Sequence, residues 1–258
     1  MLHPQFREGD KGLRFVGKCW DLEAAYKQCV IKPLHYRYSV LALKNPDTGA
    51  NEFYQATALP FGASAAVHGF NRAASAVNFL LHSELGSPVT NYFDDFSVIL
   101  PEELAGVADD VAKEFLDLIG WTIKADKSHN PMRQSFGVLG VEFDLSTISS
   151  DEGGSSVITV RNTKSRTNEI RRCIQGHLDR GSMSPAEASR LRGRLVFANS
   201  QTFGKIGALT YHHLGEKANQ PGGSRTMSYE LKWSLEWWME HMTTAKERTI
   251  PVGKQKRP

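Results

Sequence analysis

The chain has 258 residues, 40% of them apolar and 23% charged, the balance of a globular protein with room for one large domain or two small ones. No apolar run approaches the roughly 20 residues that cross a bilayer, the polar start "MLHPQFREGDKGLRFVG" has no signal-peptide core, and Cys19, Cys29 and Cys173 give neither a disulfide framework nor paired metal spacing, so a reduced, intracellular protein with no membrane partner is expected. Net charge is +3, yet residues 161–225 hold 12 Lys/Arg against 4 Asp/Glu, a local +8 that leaves −5 elsewhere and fits either a phosphate-backbone track or a solvated helical face.

The first dozen residues show no period. "LRFVGKCWDL" predicts a strand that ends at Asp21. "YRYSVLALKNPDTGANEFYQATAL" predicts a β-hairpin, two β-rich runs around the turn chemistry of "NPDTG". "FGASAAVHGFNRAASAVNFLLHSEL" predicts an amphipathic helix with Val67, Phe70, Ala74, Val77 and Leu81 on its apolar stripe, stopped by Gly86-Ser87-Pro88. Gly69 inside it costs about 1 kcal/mol relative to Ala, which points to close packing or the approach of a ligand. "SPVTNYFDDFSVIL" then sets Asp94 and Asp95 between two apolar strands.

Pro101, early acids and a closing Gly120 bound the next helix, and "WTIKADKSHNP" reads as a short strand and loop. "SFGVLGVEFDLSTISSDEGGSSVITV" predicts two strands around a Gly153-Gly154 turn. Two helices against a mostly antiparallel sheet make an α+β architecture. Beyond Asn162 the strand signal fades and a boundary is placed near residue 160. One helix carries Ile170, Ile174 and Leu178 on a face. A second opens at the capping box Ser184-Pro185-Ala186-Glu187, with Leu191 and Leu195 inward and Arg190, Arg192 and Arg194 outward. A last helix carries Leu231, Leu235, Trp238, Met239 and Met242, a stripe that reads as core.

The paired aspartates are compatible with a plain β-turn. They are also compatible with a cation site: if the strand ending at Asp21 neighbours the hairpin, three carboxylates converge at one end of a sheet. Such a cluster suits hard divalent cations and is unfavourable without them.

Five stretches together resemble reverse transcriptases. "DLEAAYKQ" (21–28) is similar to their motif A, "LPFGASAAVHGFNR" (59–72) to motif B, "YFDD" (92–95) to motif C, "GWTIKADKS" (120–128) to motif D and "FGVLGVEFD" (136–144) to motif E, in the family's order. The Leu-Pro-Phe-Gly form is most similar to retrotransposon enzymes of the DIRS-like type. Val67 departs from the Pro that many relatives carry there.

The resemblance implies an α+β right-hand polymerase palm, an antiparallel sheet with helices on one face, followed by an all-α thumb, with the fingers mostly absent. Its limits would be 1–160 for palm and partial fingers, 161–245 for the helical thumb, and 246–258 for a basic linker. It implies RNA-directed DNA polymerase activity with catalytic Asp21, Asp94 and Asp95, two Mg²⁺ (or Mn²⁺) ions held by these residues and Leu22, and a dNTP site at Tyr26, Phe61, Gly62 and Lys127. Tyr26 would crowd out a 2′-OH. Gly137, Leu139, Gly140, Arg190 and Arg194 would hold an RNA or DNA template–primer duplex. A longer polyprotein with a downstream ribonuclease H domain is the implied setting, and a nucleic-acid-binding remnant is the alternative.

Overall fold

The computed structural model describes residues 14–125, 129–148, 156–202, 206–244 and 247–252. They form two compact units that divide between Arg133 and Gln134. The first runs β1 (Phe15–Asp21), β2 (Val40–Lys44), β3 (Asn51–Gln55), α1 (Ser64–Ser83), β4 (Val89–Tyr92), β5 (Asp95–Pro101) and α2 (Ala105–Leu118). β1, β5 and β4 make an antiparallel sheet in that order, and β2 pairs with β3 in a separate, largely exposed hairpin.

Side chains alternate across a strand, and that alternation separates two jobs. Val16 and Trp20 of β1 and Phe96, Val98 and Leu100 of β5 are buried in one core with Phe70, Ala74, Val77 and Leu81 of α1 and Ala112 and Leu116 of α2. The intervening positions pair Cys19 with Ser97 and Asp21 with Asp95. The buried stripe of α1 is Ala66, Phe70, Ala74, Val77 and Leu81. Ala66, a full turn before Phe70, takes the inward place expected for Val67. A Cβ at Gly69 would meet only Leu59 side-chain carbons at 3.6 Å, an ordinary contact, so the close packing expected there is not present.

One charge sits on the core side of β1. Lys18 is 4% exposed, and its ammonium donates to both oxygens of Asp109 on α2, at 3.0 and 3.1 Å. Trp20 Nε1 donates to the same carboxylate at 2.8 Å, and Lys113 Nζ lies 2.7 Å from it. Burial works to raise the pKa of Asp109, but the hydrogen bonds from Lys113, Trp20 and Lys18 outweigh it and hold the carboxyl below its ordinary range. Burial lowers the pKa of Lys18, with Asp109 opposing. The pair fastens α2 to β1.

The second unit runs β6 (Ser135–Val138), β7 (Val141–Asp144), β8 (Val157–Asn162), α3 (Lys164–Arg180), α4 (Pro185–Thr202), α5 (Ala208–Ala218), α6 (Tyr229–Thr244) and β9 (Arg248–Pro251). Its strands are antiparallel in the order β6-β7-β8-β9. Two strands were expected before residue 162, but the chain already reverses between Val138 and Val141, where Leu139 and Gly140 are both left-handed, at φ 51° and 73°. The expected Gly153-Gly154 turn lies outside the described residues. Residues 248–251, within the expected basic linker, pair with β8 as β9.

The helices share a core of Ile170, Ile174, Leu191, Leu195, Leu214, Leu231, Leu235 and Trp238. The capping box at α4 is formed: Ser184 N donates to Glu187 Oε2 at 2.7 Å and Glu187 N to Ser184 Oγ at 3.3 Å. Arg180 and Arg225 add ion pairs to the same carboxylate at 3.3 and 3.1 Å. The Ser184 amide and hydroxyl, with Arg225 and His177 beyond them, lower the Glu187 pKa to about 2.

Two outcomes are expected. Asp109→Ala takes the paired carboxylate away from the buried Lys18, and should cost about 3 kcal/mol or more in denaturant unfolding; Lys113→Ala, on the exposed side of the same network, should cost under about 1 kcal/mol. Because Glu187 is depressed in the fold, its contribution is present above the ordinary carboxylate range and lost as pH falls from about 5 to about 2. The melting temperature should drop across that interval in the wild type and drop less in Glu187→Gln.

Candidate active site

Three carboxylates gather at one end of the β1–β5–β4 sheet. Asp21 is the last residue of β1 and stands opposite Asp95, the first of β5. Tyr92 also stands opposite Asp95, so Phe93 and Asp94 alone make the β4–β5 turn, with Phe93 left-handed at φ 53°. Leu22 N donates to Asp94 O at 3.4 Å, which ties the turn to the end of β1. Cys19 Sγ donates to Asp95 Oδ1 at 3.5 Å. Cys19 and Ser97 are short side chains, and they leave this polar face low beside the aspartates.

A fourth group enters from the stretch similar to motif D, at a residue to which the sequence reading gave no role. Leu22 bridges Ile123 in antiparallel fashion. Glu23 N donates to Thr122 O and Lys124 N to Asp21 O, each at 2.9 Å. This short ladder sets Lys124 opposite Asp21, and Lys124 Nζ lies 2.7 Å from Asp21 Oδ2. The hydrogen bond to Asp21 raises the Lys124 pKa against a small burial penalty, and Asp21, Asp94 and Asp95 add to the rise by their charge. The only sequence cue was a basic residue one step after the apolar "WTI" that continues the sheet.

The donor chemistry fits a hard divalent cation: three carboxylate groups, with Leu22, whose side chain is a hydrocarbon, able to offer only main-chain oxygen. As arranged, Asp21 is engaged by Lys124. Among the described residues, no three His, Cys, Asp or Glu side chains are grouped so as to hold a metal.

The expected nucleotide residues lie in the same unit. Tyr26 stacks on Phe70 with centroids 4.8 Å apart and meets Phe61 edge-on at 5.6 Å. Phe70 in turn stacks on Trp121 at 6.0 Å, so Tyr26 rests on a column rooted in the core. Phe61 is 89% exposed. Gly62, at φ 93°, has nothing within 4 Å of where a Cβ would stand, so its backbone angle is what requires glycine there. Lys127 lies outside the described residues.

The expected primer and template residues lie in the second unit. Residues 137–143, within the first of the two strands expected there, form a hairpin with Leu139 and Gly140 at its tip. Arg166 Nη2 donates to Leu139 O at 2.6 Å and would stand 2.1 Å from a Gly140 Cβ. The same guanidinium stacks 4.7 Å from the Phe197 ring centroid. Gly140 is thus required by its φ, and a Cβ there would also make the Arg166 guanidinium shift. Gly137 would meet only Val141 O, at 3.8 Å. Arg190 and Arg194 line one cleft of about 300 Å³ with Arg172, Arg180, His177 and Glu187. Arg194 also reaches Glu169 at 3.2 Å.

This α+β fold, an antiparallel palm-type sheet with helices on one face and a helical thumb-type unit after it, is the reverse-transcriptase fold. One solved structure it resembles is the foamy viral protease-reverse transcriptase dRH in complex with ds DNA, at 14% identity and a TM-score of 0.60, covering 93% of this chain and 37% of that one. Another is the foamy viral protease-reverse transcriptase in complex with RNA/DNA hybrid, at 16% identity and a TM-score of 0.61, covering 89% and 27%. The chain therefore spans well under half the length of either. No family model and no curated protein matches the sequence.

Proposed function

We propose that the chain is the palm and thumb of an RNA-directed DNA polymerase from a retrotransposon of the DIRS-like type, working as part of a longer polyprotein with a ribonuclease H domain. The observation that carries this reading is the pairing of Asp21 with Asp95, with Asp94 in the adjoining turn. The likeness of fold to reverse transcriptases held on DNA and on an RNA/DNA hybrid supports it.

In this reading Asp21, Asp94 and Asp95, with main-chain oxygen from Leu22, hold Mg²⁺ or Mn²⁺, and the bound cations supply Lewis-acid charge to the reacting oxygens. The primer 3′-oxygen bonds to the α-phosphorus of a dNTP, the bond to pyrophosphate breaks, and the hydroxyl proton leaves to solvent. Tyr26, braced by Phe70, supports the sugar and crowds a 2′-OH. Phe61 and Gly62 line the nucleotide, and Lys127 is assigned the role of giving a proton or charge to the leaving pyrophosphate. The Leu139–Gly140 tip, with Gly137 beside it, presents main chain to the primer, and Arg190 and Arg194 contact phosphates without reading bases.

Primer extension with Mg²⁺ and dNTPs tests the assignment. Asp21→Asn or Asp94→Asn should lower the rate roughly a hundredfold or more, and Tyr26→Ala should admit ribonucleotides in a chain that still extends. Duplex binding without extension by the unaltered protein would favour a binding remnant. Arg190→Ala with Arg194→Ala should weaken binding to all sequences alike and flatten the salt slope by up to roughly two units. The Arg194–Glu169 pair is a surface pair worth under about 1 kcal/mol, so it does not hold Arg194 away from a phosphate.

A further inference from the structure

We propose that Lys124 is a built-in counter-ion that competes with divalent cations for Asp21 and so sets the cation affinity of the carboxylate cluster. The inference rests on the cation reading above and names the residue that regulates it.

Three observations carry it. Lys124 Nζ contacts Asp21 Oδ2 at 2.7 Å, the distance of a charge-assisted hydrogen bond. The lysine is placed by main chain: its own N–H donates to Asp21 O at 2.9 Å, beside the Leu22–Ile123 bridge, so the ammonium stays within reach of that carboxylate. Its side chain is 42% exposed against 17% for Asp21, so it can swing into water at little cost while the carboxylate stays. These facts also account for the grouping of the ligands. Asp21 is turned to Lys124, and no three carboxylates are disposed as a closed set among the described residues.

A cation that takes Asp21 must therefore displace an ammonium, and two positive charges cannot share the carboxylate without mutual repulsion. Lys124 neutralises part of the like-charge crowding when no cation is bound and opposes the cation when it arrives. No bond is made or broken in the exchange.

The test is Mn²⁺ binding, followed by the electron paramagnetic resonance of free Mn²⁺, on the full chain carrying Lys124→Met, Lys124→Gln or Lys124→Arg. The Met and Gln variants should bind Mn²⁺ about three- to tenfold more tightly than wild type, and the Arg variant, which keeps the pair, close to wild type. Melting without divalent cation should be lower in Met and Gln than in wild type, and added Mg²⁺ should raise it further than in wild type. Equal Mn²⁺ affinity in Met, Gln and wild type overturns the proposal and leaves the cation reading standing. Weaker binding in Met and Gln also overturns it. Absence of Mn²⁺ binding in wild type and all variants removes the cation reading, and this inference with it.

Discussion

The register of β1 on β5 is the constraint on which the first unit depends. A strand side chain has only two directions, so a one-residue slip of β1 against β5 would turn Val16 and Trp20 to the polar face and Asp21 toward the helices. The native register does the opposite, with Asp21 across from Asp95 and the aromatic side chains under α1 and α2. The Lys18–Asp109 pair reads this register from the core side. A slip would take the ammonium away from the one carboxylate that also serves Trp20 Nε1. A pair of this kind adds little net stability over a well-packed apolar pair, but it makes the wrong register costly.

The same register creates an electrostatic problem at the strand ends. Like charges carried at adjoining backbone positions repel, and the more so where water is partly excluded. A fold that brings three carboxylates together must therefore supply positive charge. Lys124 supplies one ammonium through a ladder that continues the sheet, and Cys19 supplies a neutral donor to Asp95.

What the sequence made legible follows local chemistry. β1, the β2–β3 hairpin, α1 and the β4–β5 hairpin were readable because alternation, turn residues or an apolar stripe lay within a few residues of one another. The capping box at Ser184 was readable for the same reason. What it hid depends on partners far along the chain. α5 buries Thr210, Leu214 and Lys217, so it has no apolar stripe to read. β9 is exposed throughout and exists through pairing with β8, about ninety residues earlier. The Leu139–Gly140 turn sits in an apolar run, and what fixes it is Arg166, donated by a later helix. Lys124 was hidden because its meaning comes from standing across a ladder from Asp21. The aspartates were found by motif; Lys124 lies in a motif stretch too, but its pairing with Asp21 could be found only by geometry.

Backbone strain marks the same places independently of motif. Among the described residues, the non-glycine residues at positive φ are Ala24, Phe93 and Leu139, at 47°, 53° and 51°. Side chains with a Cβ reach this region at a cost, and such residues persist only where the surroundings over-determine them. Ala24 precedes the turn that carries Tyr26, and Phe93 sets the turn that carries Asp94. Leu139 offers its carbonyl to Arg166 at the hairpin tip. None of the three lies in the packed interiors of the helices, where strain would buy nothing. A chain under selection for stability alone would relieve each with glycine or asparagine at little loss. At the β4–β5 turn the larger side chain is itself held, because Phe93 packs edge-on against Tyr92 at 4.9 Å. The backbone thus keeps fixed the three points at which the fold offers carboxylates, an aromatic platform and a main-chain tip.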